Sequence, residues 1–164
     1  MFGERIPRIP ENKLKSALLL YAVDLQPQVF ATFNLNKKTS YNVAKKNIEY
    51  FSDRFHRIVL GQRYKKPSKQ HLRMISILLP EKTKQKGLPH FHCHIKFPNE
   101  EMIESFFTHK DNLWQQLFPN GEIYARRYRY GLNKQSFDLY DVFCQADYNL
   151  KCFNNKTHQQ FIVL

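Results

Sequence analysis

Alternation and helical periodicity divide most of this chain into elements before any residue is considered for its chemistry. Val29 to Asn34 (VFATFN) is dense in β-branched and aromatic residues and predicts a strand. After Ser40, a fitting N-cap, Tyr41, Ala44, Ile48, Phe51, Phe55 and Ile58 recur at three- and four-residue spacings. That rhythm predicts an amphipathic helix with a basic outer face. Leu72 to Leu79 predicts a second strand, Glu81 to Pro89 a charged turn containing Gly87, and His90 to Phe97 a third strand. Pro98 and Asn99 introduce a helix carrying Met102, Ile103, Phe106, Phe107, Trp114 and Leu117. Gly121 to Tyr130 predicts a fourth strand. Leu139, Phe143, Ala146, Leu150 and Phe153 then step by four and three, a last helix starting near Ser136. This succession predicts an α+β domain, a largely antiparallel central sheet with helices packed on one face.

No internal repeat, low-complexity block or Gly/Ser linker interrupts the pattern. One domain over residues 16–164 is expected, preceded by a basic, proline-bearing arm over residues 1–15. At 164 residues, 42% hydrophobic and 15% aromatic, the chain can bury a real core. The excess of 26 Lys and Arg over 14 Asp and Glu, a net charge of +12, favours a polyanionic partner. Each phosphate that such a surface neutralises releases condensed counterions. Charge alone does not separate DNA, RNA and acidic membranes. The longest apolar run, Ala17 to Val23, is too short to span a bilayer, and Met1 to Pro10 lacks a signal-peptide layout. Cys93, Cys144 and Cys152 are odd in number and fall in predicted core elements, so a reduced, intracellular protein is expected.

The densest chemistry lies in LPHFHCHIKFP, residues 88–98. Alternate side chains of a strand share a face. His90, His92, His94 and Lys96 therefore point one way, and Phe91, Cys93, Ile95 and Phe97 pack the other way. A lone strand histidine usually means nothing, but a row of them on one face can share a metal ion through neutral imidazoles. Structural zinc fits poorly, because the cysteines lack CxxC spacing and Cys93 faces away from the histidines. A hard divalent ion working on phosphate also takes an oxygen ligand. In an antiparallel hairpin, Glu81 comes to lie beside His90. Without the histidines, Glu81 reads as a solvated turn charge.

ADYNLK, residues 146–151, puts Tyr148 and Lys151 three apart on one side of the last helix. YxxK alone is a weak signal among nine tyrosines. Position says more: at about 100° per residue, Tyr148 lies opposite Ala146 and Leu150, off the apolar stripe. A phenol with its ordinary pKa of about 10 is a poor nucleophile until a metal or lysine favours the phenolate. In IYARRYRYG, residues 123–131, Tyr124, Arg126, Tyr128 and Tyr130 share a face. Tyrosines that stack on bases beside an arginine for phosphate suit a single strand, and an ordinary edge strand is the even alternative. Lys82, Lys84 and Lys86 in the turn either follow a phosphate backbone or solubilise the turn.

Together FATFN (30–34), HFH (90–92) and YNLK (148–151) resemble the three ordered motifs of HUH (His-hydrophobic-His) endonucleases. EKTKQKGLPHFH (81–92) is similar to the lead-in of the single-tyrosine replication-initiator type, where a glutamate precedes Gly-x-Pro-His. The resemblance spans residues 29–151 and rests on short motifs. It implies a ferredoxin-like, split βαβ domain that nicks and rejoins single-stranded DNA at an origin. Tyr148 would form a 5′-phosphotyrosine and free a 3′-OH, with Lys151 placing the phosphate and Mn2+ or Mg2+ held by His90, His92 and Glu81.

The sequence also departs from the pattern. His94 is an extra histidine, so His92 and His94 form an alternative metal pair. The first motif lacks the proline of many viral members. No helicase segment follows Tyr148, so the resemblance implies a separate helicase as partner, with no membrane and no small-molecule cofactor. An HUH transposase or relaxase, a non-catalytic nucleic-acid-binding domain and a metal enzyme of other chemistry stay open. The last two leave the histidine row or Tyr148 without a task.

Overall fold

The structure, a computed structural model, describes residues 11–82, 88–128, 139–150 and 162–163. Its elements run α1 (Glu11–Asp24), β1 (Val29–Asn34), α2 (Tyr41–Leu60), a 3-10 turn (Pro67–Leu72), β2 (Ile75–Lys82) and β3 (Pro89–Lys96). They continue with α3 (Glu100–Leu117), β4 (Glu122–Arg127), α4 (Leu139–Asn149) and β5 (Ile162–Val163). The strands form one sheet in the order β4-β1-β3-β2-β5, every neighbouring pair antiparallel. The segment β1-α2-β2-β3-α3-β4 with β1 and β3 at the centre is the split βαβ arrangement of an α+β fold.

Local chemistry explains the boundaries. Ser40 caps α2, its Oγ accepting from Val43 N at 3.3 Å, and Gly61 ends the helix at φ 79°, where a side chain is disfavoured. Asn99 Oδ1 accepts from Met102 N at 2.9 Å and starts α3. The second strand starts at Ile75 and not at Leu72, because Pro67 opens a 3-10 turn that takes up residues 67–72. It also runs on through Glu81 and Lys82, which the sequence assigns to the charged turn, and residues 83–87 of that turn lie outside the described residues.

Alternation sorts the strand residues into two cores. Val29, Ala31, Phe33, Leu78, Phe91, Cys93 and Ile95 point to α2 and α3, where Phe51, Phe55, Phe106 and Trp114 meet them. These rings touch edge to face, Phe33 on Trp114 at 5.0 Å and Phe51 on Trp114 at 6.1 Å between centroids. Each fully buried phenylalanine here contributes about 1.5–3 kcal/mol of burial.

The opposite face is also covered, over part of its length, by α1 and α4. Leu18, Ala22 and Leu25 of α1 and its exit pack with Ile77 and Leu79 of β2, Ala146 of α4 and Leu150 just after it. Residues 11–15 of the expected arm belong to α1, and Lys15 pairs with Asp147 of α4 at 3.5 Å, whereas residues 1–10 lie outside the described residues. Leu18, Leu19 and Leu20 crowd successive positions of α1, which leaves no clean stripe to announce a helix. No described helix is long and apolar enough to cross a membrane.

Candidate metal centre and tyrosine helix

Strand register sets the histidine face out in rows. Glu122, Asn34, His90 and Glu81 lie side by side across four strands, followed by Tyr124, Thr32, His92 and Leu79. Arg126, Phe30, His94 and Ile77 form the third row. Paired residues in an antiparallel sheet have Cβ atoms about 4.5–5.5 Å apart, so each row brings its side chains together.

The first two rows hold a ligand set. One ligand atom each from Glu81, His90 and His92 lies within 4.8 Å of the others, and among the described residues this is the one such group. Glu81 Oε2 sits 2.8 Å from His92 Nε2 and 3.3 Å from His90 Nε2. The two rings meet edge to face at 4.9 Å. All three side chains are only 11–12% exposed. Glu81 is the cross-strand partner of His90, as the hairpin spacing predicts.

Two further observations bear on whether this set fits a cation. Thr32 Oγ1 lies 3.0 Å from His92 Nδ1. The hydroxyl can accept the Nδ1 proton, which leaves the Nε2 lone pair to a cation, the usual support of a ligating imidazole. Phe30 stacks beside the same ring at 5.7 Å. Among the described residues, His90 Nδ1 is buried without a hydrogen-bond partner. Two imidazole nitrogens and one carboxylate oxygen suit a divalent ion such as Mn2+.

His94 does not join the set. It is 0% exposed, its Nδ1 lies 2.6 Å from the Tyr128 hydroxyl and its Nε2 lies 3.3 Å from Asn149 Nδ2. Burial first, then the charges of His92 and Arg126, pushes its pKa down to about 3, so the ring is neutral. Both nitrogens are occupied, which removes the alternative pair His92 and His94.

The third row lies under α4. Arg126 donates to both carboxylate oxygens of Asp141, at 3.0 and 3.2 Å, and to Gln145 Oε1 at 3.2 Å. Its guanidinium also stands over the Phe30 and Tyr128 rings, at 5.6 and 5.1 Å. Gln145 Nε2 donates to Asn149 Oδ1 at 3.2 Å, and Asn149 reaches His94. The tyrosine helix is thus fixed on the same side of the sheet as Glu81, His90 and His92. Tyr148, next to Asn149, is 57% exposed, off the apolar stripe of Ala146 and Leu150.

The expected nucleic-acid face on β4 needs correction. Tyr128 is 1% exposed and its hydroxyl is engaged by His94, so it cannot stack on a base. Arg126 is held by Asp141 and Gln145 and acts as a clamp on α4. Among the described residues of that set, Tyr124 alone lies open, at 58% exposed and in the row of His92. Lys151, Tyr130, Lys84 and Lys86 lie outside the described residues, and Lys82 is placed only as the end of β2.

Thr32, Phe30 and Asn149 were not expected at the site. Thr32 and Phe30 stand in the first motif, and pairing of β1 with β3 is the signal that assigns them. Tyr41, the first residue of α2, is another addition. Burial and then the nearby Glu81 carboxylate raise its phenol pKa, which makes it a poor nucleophile. No family model matches the sequence, and no curated protein or solved structure matches it either.

Proposed function

We propose that this chain is a metal-dependent endonuclease that nicks and rejoins single-stranded DNA, of the HUH replication-initiator kind. The observation that supports the reading is the Glu81, His90 and His92 cluster on the sheet face that α4 partly covers, the helix on which Tyr148 stands exposed. A metal-binding protein of other chemistry has no use for a half-exposed tyrosine on the helix docked beside the cluster. A plain nucleic-acid-binding domain has no use for the cluster.

In this reading Tyr148 Oη attacks phosphorus in a single strand, the new O–P bond forms and the bond to O3′ breaks. The 3′ oxygen leaves with a proton as a free 3′-OH, and the 5′ side stays on the tyrosine as a phosphodiester. Glu81, His90 and His92 would hold Mn2+ or Mg2+, and such an ion would supply Lewis-acid polarisation of a phosphate and offset the charge developing on it. Thr32 keeps His92 in the tautomer that leaves Nε2 free. Lys151 places the phosphate, Tyr124 stacks on an unpaired base near His92, and Lys82, Lys84 and Lys86 follow the backbone. The preserved phosphotyrosine bond allows the 3′-OH to return and rejoin the strand. Helicase activity supplies the single strand from origin DNA. Incubation of the protein with labelled single-stranded oligonucleotides and Mn2+ tests the reading, the expected product being a covalent protein–DNA adduct that withstands denaturant.

A further inference from the structure

Three histidines share one strand face, and the nickase reading uses two. His94 is the most buried of the three, and a buried imidazole whose two nitrogens each meet a side chain from a different segment is a connector. With Asn149 Nδ2 donating to His94 Nε2, the ring proton sits on Nδ1 and is donated to the Tyr128 oxygen. Asn149 Oδ1 in turn accepts from Gln145, and Gln145 accepts from Arg126. Asp141, Gln145 and Asn149 are spaced by four residues and form one polar edge of α4, so the helix is fastened at three successive turns. Arg126 of β4 holds the first two rungs, and His94 of β3 holds the last.

That last rung has a particular address. His94 lies two residues from His92, about 6.6–6.8 Å along the same strand. Asn149 follows Tyr148 directly, about 3.8 Å away between Cα atoms. The apolar contacts of Ala146 and Leu150 hold α4 down on β2, and Arg126 anchors its first two turns through Asp141 and Gln145. The directional hydrogen bond from Asn149 to a ring fixed in the core anchors the turn that carries Tyr148. We propose that His94, acting through Asn149, is a positioning residue that sets where Tyr148 stands relative to His90 and His92. The proposal rests on the nickase reading, and it gives the third histidine a task distinct from binding a cation. It also accounts for the burial of Tyr128, which fixes the ring from the other side.

The test uses the full chain with 3-fluorotyrosine placed at position 148. Two variants are compared with the parent: Asn149→Leu, which keeps the bulk and loses the donor, and Asn149→Asp. The aspartate restores the contact through the opposite tautomer, with Nε2–H donating to the carboxylate and Tyr128 donating to Nδ1. In Asn149→Leu, single-turnover adduct formation falls by about 30- to 100-fold, the scale of a misplaced reacting group. Its Mn2+ affinity and single-strand affinity stay within about threefold of the parent, because neither set of ligands has changed. Mn2+ broadens the fluorine signal at 148 less strongly or unevenly, while Asn149→Asp recovers both the broadening and most of the rate. If Asn149→Leu is poorly folded, Asn149→Ser, too short to reach His94, replaces it. A folded variant with parental broadening and parental rate overturns the proposal. Failure of the parent itself to form an adduct contradicts the nickase reading instead, and the fluorine measurement still reports whether Asn149 sets the distance.

Discussion

Glu81 and His90 stand directly opposite one another on β2 and β3, and the Glu81 carboxylate bridges the His90 and His92 rings at 3.3 and 2.8 Å. A carboxylate shared by two imidazoles can be a charged pair or a ligand set. The distinction matters because the two respond oppositely to substitution. Removing Glu81 from a simple ion pair costs stability in the free protein. Removing it from a ligand set mainly costs the stabilisation that a cation brings.

Glu81→Gln, His90→Ala and His92→Ala are therefore expected to fold and to lose the response to Mn2+. In the parent, a cation at 100 times its dissociation constant adds about 2.7 kcal/mol of stability. Thermal unfolding with and without Mn2+ checks this, and a parent melting temperature indifferent to Mn2+ would count against the centre.

Thr32→Val removes the hydroxyl 3.0 Å from His92 Nδ1 while keeping the shape of the side chain. Outer partners of metal-ligating histidines are worth about 10- to 100-fold in affinity or activity. Mn2+ titration of this variant is expected to show weaker binding by about tenfold. Unchanged affinity would mean that Thr32 only fills space.

A pH dependence of stability follows from His56, which is remote from the centre. It is 5% exposed, its Nε2 accepts the Met74 N–H at 3.1 Å, and Ser52 Oγ lies 3.5 Å from its Nδ1. Burial first, then Arg73, pushes its pKa from 6.5 down to about 4, against a smaller upward pull from Asp53. Between those values the unfolded chain binds a proton that the folded chain refuses. Stability is thus complete above about pH 6.5 and is lost as pH falls toward 4, by on the order of 3 kcal/mol for this group. Denaturant unfolding at pH 7.5 and pH 5 should show the loss, and His56→Gln should flatten it. An equal slope in the variant would contradict the assignment.

How far the sequence announces all this depends on the kind of signal each residue gives. The histidine strand, the two large helices and the Glu81–His90 pairing follow from alternation, three-four spacing and the length of one turn. These are local patterns, and tertiary packing did not override them. Tyr128 and Arg126 misled because a strand of alternating aromatic and basic residues looks solvent-facing until a helix is laid over it. What covers that face is α4, about a dozen residues later, joined through residues the structure does not describe. Thr32 was likewise in view as part of a motif, but only the β1–β3 register names it as the partner of His92. His94 was ambiguous for the opposite reason: it obeys the same alternation as its neighbours, and only burial separates its task from theirs.

Tyr148 is the residue on which the proposed chemistry turns. Because it is 57% exposed, Tyr148→Phe is expected to change stability by less than about 0.5 kcal/mol and to leave single-strand affinity nearly unchanged. Tyr140→Phe, on the same helix and 74% exposed, and Tyr41→Phe, near Glu81, serve as controls that keep activity.

The most direct measurement is the covalent adduct itself, read on a denaturing gel after incubation with labelled single-stranded DNA and Mn2+. The account predicts a shifted, denaturant-resistant band in the parent, absent in EDTA, absent in Tyr148→Phe and retained in Tyr140→Phe and Tyr41→Phe. A band that persists in EDTA or in Tyr148→Phe, or no band across oligonucleotides covering the neighbouring genome, would contradict it.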